Sequence, residues 1–153
     1  MDLILWRHAE AEDEAASGGD LQRALTARGE KQAARMAAWL DRQLGESVRI
    51  LCSPALRCEQ TVLPLGRKYK IRDELAPDAS PEAVLAAAQW PDAKQPVLIV
   101  GHQPTLGLTA AKLLGMRPHE LTIRKGAVWW FRSRERDGGE QTVLVASLPP
   151  DMV

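Results

Sequence analysis

Val97-Leu98-Ile99-Val100-Gly101-His102-Gln103-Pro104 decides the fold. Four consecutive apolar residues without alternation describe a strand buried on both faces, the kind found in parallel sheets covered by helices. The Gly101-His102-Gln103-Pro104 turn then leads into a helix predicted to end near Gly115. The same grammar occurs twice upstream. Leu3-Ile4-Leu5-Trp6 is a short apolar run closed by Arg7-His8, and Val48-Arg49-Ile50-Leu51-Cys52 is closed by Ser53-Pro54. Ser before Pro is a helix-start signal, with Ser as N-cap and Pro at the first helical position. That helix is expected to run to about Lys68.

The intervening segments fill in the pattern. Glu10 to Leu25, which contains Ser17-Gly18-Gly19-Asp20, reads as a loop. Ala27 to Leu44 reads as a helix, with Ala33, Met36, Ala37, Leu40 and Leu44 forming one apolar face. Thr26 is its expected N-cap and Gly45 its stop. Lys70-Ile71-Arg72 suits a short strand, and Ser80-Pro81 opens a further helix through about Gln89. Gly126 to Arg132 and Thr142 to Ser147 read as two strands joined at Asp137-Gly138-Gly139. Strands alternating with helices imply a three-layer α/β/α sandwich. Its central sheet is expected to be mainly parallel with an antiparallel edge strand. The chain of 153 residues is the size of a single domain, predicted to span 1–153.

Composition narrows the function. Apolar residues make up 45% and charged residues 26%, the balance of a globular protein. Twenty basic residues match twenty acidic ones, so the total charge favours neither a nucleic-acid nor a membrane partner. The run Leu3 to Trp6 is too short for a signal peptide or a membrane span. Cys52 and Cys58 match neither a CxxC redox pair nor a metal knuckle. Both read as reduced thiols, which predicts a reducing compartment, with the cytoplasm as the simplest placement.

Ligands of open α/β sheets bind beyond the carboxyl ends of the strands. There the first strand ends in Arg7-His8, the second is followed by Arg57, and the Val97 strand ends in Gly101-His102. Each residue has an ordinary reading: a histidine after a strand is commonly structural, Arg57 alone a solvated helix residue, Arg7 a surface ion-pair partner. The argument lies in their co-location. Two arginines and two histidines at helix N-termini and strand ends form an anion-seeking pocket in a chain of zero net charge. Arginine forks pair with phosphate oxygens in a bidentate way, so phosphate is the expected ligand. His119, between Pro118 and Glu120, has no such context and reads as a surface residue. Trp129-Trp130-Phe131 reads as strand packing.

Arg7-His8-Ala9 resembles the RHG signature of the histidine phosphatase superfamily, also called phosphoglycerate mutase-like. Leu25-Thr26-Ala27-Arg28-Gly29 is similar to its LTxxG element. Ser53-Pro54-Ala55-Leu56-Arg57-Cys58-Glu59-Gln60-Thr61 is similar to its SPxxRxxQT element, and Gly101-His102 to its second histidine element. The elements occur in family order from residue 3 to about 115. The short length and the RHAEA start most resemble the bacterial phosphohistidine phosphatases. Ala9 stands where the signature has Gly, and the family's acidic proton donor has no clear match.

The resemblance implies a hydrolase acting in protein dephosphorylation and signal transduction. His8 would attack phosphorus and form a phosphohistidine, while Arg7, Arg57 and His102 bind the phosphoryl oxygens and stabilise their charge. Nearby arginines would lower the His8 pKa and keep its nucleophilic nitrogen unprotonated. The resemblance implies no cofactor and no metal. The partner would be a phosphorylated protein, a histidine-containing phosphocarrier or phosphotransfer domain. Glu10, Glu12, Glu74 and Asp78 are the conceivable proton donors.

Rival chemistries fit less well. A cysteine phosphatase needs five residues between Cys and Arg, and only four separate Cys52 from Arg57. A metallophosphatase needs clustered ligands, whereas the three histidines lie in separate segments without HxH or HxxxH spacing. A mutase or large acid phosphatase needs more chain to cap its substrate. A small-molecule phosphomonoesterase of the same superfamily and a catalytically idle phosphoprotein-binding module remain as alternatives.

Overall fold

The computed structural model describes residues 1–117 and 121–153. The reading of His119 lies outside the described residues. Six strands form one sheet: β1 (Asp2–Arg7), β2 (Arg49–Cys52), β3 (Lys70–Ile71), β4 (Val97–Gly101), β5 (Val128–Arg136) and β6 (Gly139–Leu148). Their order is β3-β2-β4-β1-β5-β6. The first four run parallel, β5 pairs antiparallel with β1, and β6 turns back antiparallel to β5. The predicted antiparallel edge is thus a hairpin. Its turn holds Asp137 at φ 54° and Gly138 at φ 80°, the left-handed pair that a two-residue hairpin turn requires.

Alternation along the strands explains the layers. On β1, Ile4 and Trp6 pack with Met36, Leu40, Cys58 and Val62, whereas Leu3 and Leu5 pack with Val84, Ala88, Leu106 and Ala110. Helices α1 (Ala27–Gln43) and α2 (Leu56–Val62) therefore cover one face, and α3 (Pro81–Ala88) and α4 (Thr105–Leu113) the other. All five residues of β4 are buried, as a central strand with helices on both faces demands. Trp130 and Phe131 belong to opposite cores, as expected for strand packing.

Local signals account for most helix ends. Thr26 accepts from the Gly29 N–H at 2.9 Å and caps α1, and Ser80 accepts from the Ala83 N–H at 3.1 Å and caps α3. Helix α2 departs from expectation at both ends. It starts at Leu56 behind an extended Ala55, so neither is Ser53 an N-cap nor Pro54 a first helical residue. It stops at Val62, and a short 3₁₀ turn, Leu63–Leu65, replaces the run to Lys68. Pro64 has no N–H to donate back, and Gly66 at φ 69° ends the turn in the left-handed region.

Candidate functional site

The register of β1 and β4 sets the geometry. Arg7 pairs with Gly101, and the His8 N–H donates to the Gly101 carbonyl at 3.1 Å. One residue further on, His8 and His102 leave adjacent strands side by side, with ring centroids 5.3 Å apart and planes tilted by 58°. Arg57, second residue of α2, reaches the same point: its Nη2 lies 3.4 Å from His102 Nδ1. Arg7, His8, Arg57 and His102 all line one polar cleft of about 180 Å³. The four predicted residues are therefore brought together at the carboxyl ends of β1, β2 and β4.

Each side chain is fixed by a partner from another segment. The Arg7 guanidinium donates to the Ile123 carbonyl at 2.9 Å. Arg57 donates to the Asp20 carbonyl at 2.9 Å and to its carboxylate at 3.1 Å, which ties the 10–25 loop to α2. Nε of Arg7 and Nε of Arg57 are buried without a partner, so both guanidiniums carry unused donor capacity beside the cleft. An oxyanion would use such donors. His102 Nε2 lies 2.7 Å from Ser53 Oγ. Ser53 missed its predicted role as N-cap because it holds this histidine instead.

The rest of the Ser53 to Thr61 segment works in the same way. Gln60 Oε1 accepts from the Leu25 N–H at 2.7 Å. Thr61 Oγ1 accepts from the Ala9 N–H at 3.0 Å and donates to the Arg57 carbonyl at 2.7 Å. Ala9 is fully buried against Leu25 and Ala33, a small space that its methyl group fills. Gly29 is required by close approach: a Cβ there would lie 1.9 Å from the Glu10 carbonyl oxygen.

The protonation of His8 follows from its surroundings. Its Nδ1 lies 2.8 Å from the carbonyl of Ala9, an acceptor only, so Nδ1 carries the proton and Nε2 keeps its lone pair. Burial pushes the His8 pKa down to about 4, with the charges of Arg57 and Arg7 adding to it. The arginines expected to lower it therefore act second to desolvation. His102 is pushed down to about 3 by burial, then by His8 and Arg57. Both imidazoles are neutral near pH 7.

The thiols take no part in this chemistry. Cys52 and Cys58 are free and buried, and burial pushes Cys58 up to about 12 and Cys52 higher. A cysteine nucleophile needs the thiolate, which burial opposes here. Of the four conceivable donors only Asp78 lines the cleft. Glu10 instead accepts from the Thr26 hydroxyl at 2.7 Å, and Glu74 pairs with Arg72. The sequence reading missed Asp13, Arg23 and Lys125, which also line the cleft. Lys125 arrives because Gly126 donates back to the carbonyls of Arg7 and His8 just before β5, a closure without a local sequence signal.

Comparison with known proteins agrees with this geometry. The profile of the histidine phosphatase superfamily (branch 1) matches residues 3–79. The chain is 34% identical over 121 residues to the phosphohistidine phosphatase SixA of Escherichia coli, covering 74% of each chain. It is 33% identical over 132 residues to the SixA homolog of Haemophilus influenzae, covering 76% of this chain and 79% of the relative. The structure of the protein histidine phosphatase SixA complexed with tungstate superposes with a TM-score of 0.77 at 30% identity, covering 99% of this chain and 98% of that one. On the match of half the chain to that profile and the identity to these relatives, the chain belongs to the histidine phosphatase superfamily, branch 1.

Proposed function

We propose that this protein, as one domain over residues 1–153, hydrolyses phosphohistidine on a partner protein through a covalent intermediate on His8. The observation that carries the reading is the state of His8: a neutral imidazole with Nδ1 spent on the Ala9 carbonyl, facing a cleft shared with Arg7, Arg57 and His102. In this reading His8 Nε2 attacks phosphorus in line, the phosphorus–nitrogen bond to the substrate imidazole breaks, and that imidazole leaves with a proton from solvent or a weak acid. Arg7 and Arg57 donate to the equatorial oxygens and stabilise the charge they gain, and His102, whose Nε2 proton is held by Ser53, joins them by taking a proton from solvent on Nδ1 when the phosphoryl anion binds. Water then attacks phosphorus on His8, releasing orthophosphate and restoring the free imidazole.

Two features support a protein substrate. Between α2 and β4 the chain provides only β3, two 3₁₀ turns and α3, and Pro77 and Asp78 are its only residues lining the cleft. Among the described residues no long insertion covers the pocket, so a folded partner has room to present a side chain. The leaving group matters too. An alkoxide needs a strong general acid, whereas imidazole leaves more readily. The rim carboxylates Asp13 and Asp78 are both exposed, without the apolar enclosure that makes an efficient acid. The names of the SixA relatives point to the same substrate class.

The test is a comparison of kcat/KM on a histidine-phosphorylated phosphocarrier or phosphotransfer domain with that on small alkyl phosphates. Higher values on the protein are expected, with slow turnover of aryl phosphates. Faster hydrolysis of alkyl phosphates than of every phosphohistidine protein would make it a small-molecule phosphatase.

A further inference from the structure

Outside the His8 cleft lies a second, larger one of about 550 Å³, between α1, residues 122–125 and Pro149–Asp151. Six cations line it: Arg7, Arg28, Lys31, Arg35, Arg124 and Lys125. Arg28, Lys31 and Arg35 recur at helical spacing on the exposed side of α1, so one face presents all three. Arg124 and Lys125, also exposed, face them from the segment leading into β5. Only two carboxylates share the lining, Glu10 and Asp151, and Glu10 already accepts from the Thr26 hydroxyl.

Most of this charge is unpaired, although Arg35 donates to the Val153 backbone oxygen at 3.1 Å. Among the described residues, Arg23, Arg67, Arg72, Lys112 and Arg132 each pair with a carboxylate elsewhere on the surface, and Arg57, which lines the His8 cleft, pairs with Asp20. Among the same residues, no salt bridge joins any of the six cleft cations to a carboxylate. A chain with zero net charge thus concentrates positive potential in one open cleft. That cleft adjoins the His8 cleft, because Arg7 and Lys125 line both.

We propose that this cleft is the docking surface for a carboxylate-rich face of the protein that presents the phosphohistidine. The proposal rests on the substrate reading above and adds what the partner must carry beside its phosphorylated histidine. A folded acidic surface fits better than a nucleic acid. Among the described residues no aromatic side chain lines the cleft to stack a base, and the rest of the chain carries no excess positive charge to track a long backbone. Arg7 sits at the junction, so a partner held by Arg28, Lys31, Arg35 and Arg124 extends its phosphorylated side chain toward His8. Exposed charges of this kind act on encounter rate and orientation.

The test uses two triple variants of equal charge change. One reverses the cleft, Arg28→Glu/Lys31→Glu/Arg35→Glu. The other, Arg42→Glu/Lys68→Glu/Lys70→Glu, alters exposed residues that line neither cleft. The readout is the ratio of kcat/KM on a histidine-phosphorylated acidic phosphotransfer domain to kcat/KM on free phosphohistidine. The cleft variant should lower this ratio on the order of tenfold at low salt, an effect that added salt removes, and the control variant should leave it alone. A ratio unchanged in the cleft variant, or lowered equally in both, overturns the docking surface.

Binding gives a readout without turnover. A fluorescein-labelled peptide of about ten glutamates should bind His8→Ala protein and lose that binding when the three α1 charges are reversed. Equal binding with and without the reversal, or tighter binding of a single-stranded oligonucleotide of equal charge, also overturns it. If the wild-type protein hydrolyses no phosphohistidine yet binds the peptide in this cleft, the substrate reading fails and the acidic-partner surface stands. If it hydrolyses both substrates with an unchanged ratio, the reverse holds.

Discussion

Ser53 Oγ and His102 Nε2 lie 2.7 Å apart although 49 positions separate the two residues. Arg57 approaches the opposite nitrogen, Nδ1, at 3.4 Å, and a guanidinium can only donate. Neutral His102 therefore carries its proton on Nε2 and donates it to Ser53, which also accepts from the Ala55 N–H at 3.2 Å. Arg57 sets the tautomer of His102 and Ser53 holds its orientation, so Ser53 acts as a positioning residue.

Ser53→Ala should remove that control. We expect kcat to fall roughly tenfold with KM little changed, and a stability loss of about 1 kcal/mol from the lost hydrogen bonds. Nitrogen-15 NMR of the His102 ring should show the Nε2 resonance shifted by loss of its hydrogen bond in the variant. An unaltered Nε2 signal alongside unaltered kcat would remove Ser53 from the mechanism.

His8→Ala should abolish both turnover and acid-labile phosphoenzyme. Arg57→Ala and His102→Ala should each cost on the order of 10²–10³ in rate, the scale of losing one transition-state donor. Stopped-flow and acid-quench labelling separate the two steps. Turnover should persist in chelators; loss in EDTA reversed by a divalent ion would point to a metal enzyme.

Acid should act on stability and on catalysis through the same groups. His8 and His102 have pKa values pushed from the ordinary 6.5 down to about 4 and about 3. Between pH 6.5 and 4 the unfolded chain takes up protons at these positions while the folded chain does not. Stability therefore falls as pH drops through this window, and rises with pH across it. Chemical denaturation at stepped pH should show this slope reduced in His8→Ala/His102→Ala. The acid limb of kcat/KM should lie near pH 4, where His8 protonates.

Gly29→Ala tests the contact between α1 and the loop after His8. The added Cβ would stand 1.9 Å from the Glu10 carbonyl oxygen, so α1 or the loop must shift. A loss of roughly 1–3 kcal/mol is expected, read as a lower midpoint in urea. Gly19→Ala, with nothing within 4 Å of the added Cβ, is the control and should leave the midpoint nearly unchanged.

Much of this was legible in the residues themselves. The unbroken run Val97–Val100 required helices on both faces, because a strand with no polar side can only be central. Thr26 and Ser80 announced their helices through caps that act within three residues. Pro64 also carried its message locally: a residue without an N–H ends α2 before Lys68. The positions of Arg7, His8 and His102 at strand ends, and of Arg57 at the start of the helix after β2, follow from the same strand–helix alternation.

Tertiary structure alone decided what these residues do to one another. Ser53 carries the same local signal as Ser80, yet its hydroxyl lies against the buried His102 imidazole, a partner 49 positions away that no local signal announces. His8 takes its tautomer from the Ala9 carbonyl and its low pKa chiefly from burial, neither of which a linear spacing expresses. The basic cleft is hidden by a net charge of zero, since opposite charges cancel in a sum wherever they lie. Helical spacing put Arg28, Lys31 and Arg35 on one face of α1, but only the antiparallel pairing of β5 with β1 brought Arg124 and Lys125 opposite them. Side-chain periodicity is a local property of the backbone, whereas electrostatic potential and desolvation depend on every neighbour in space.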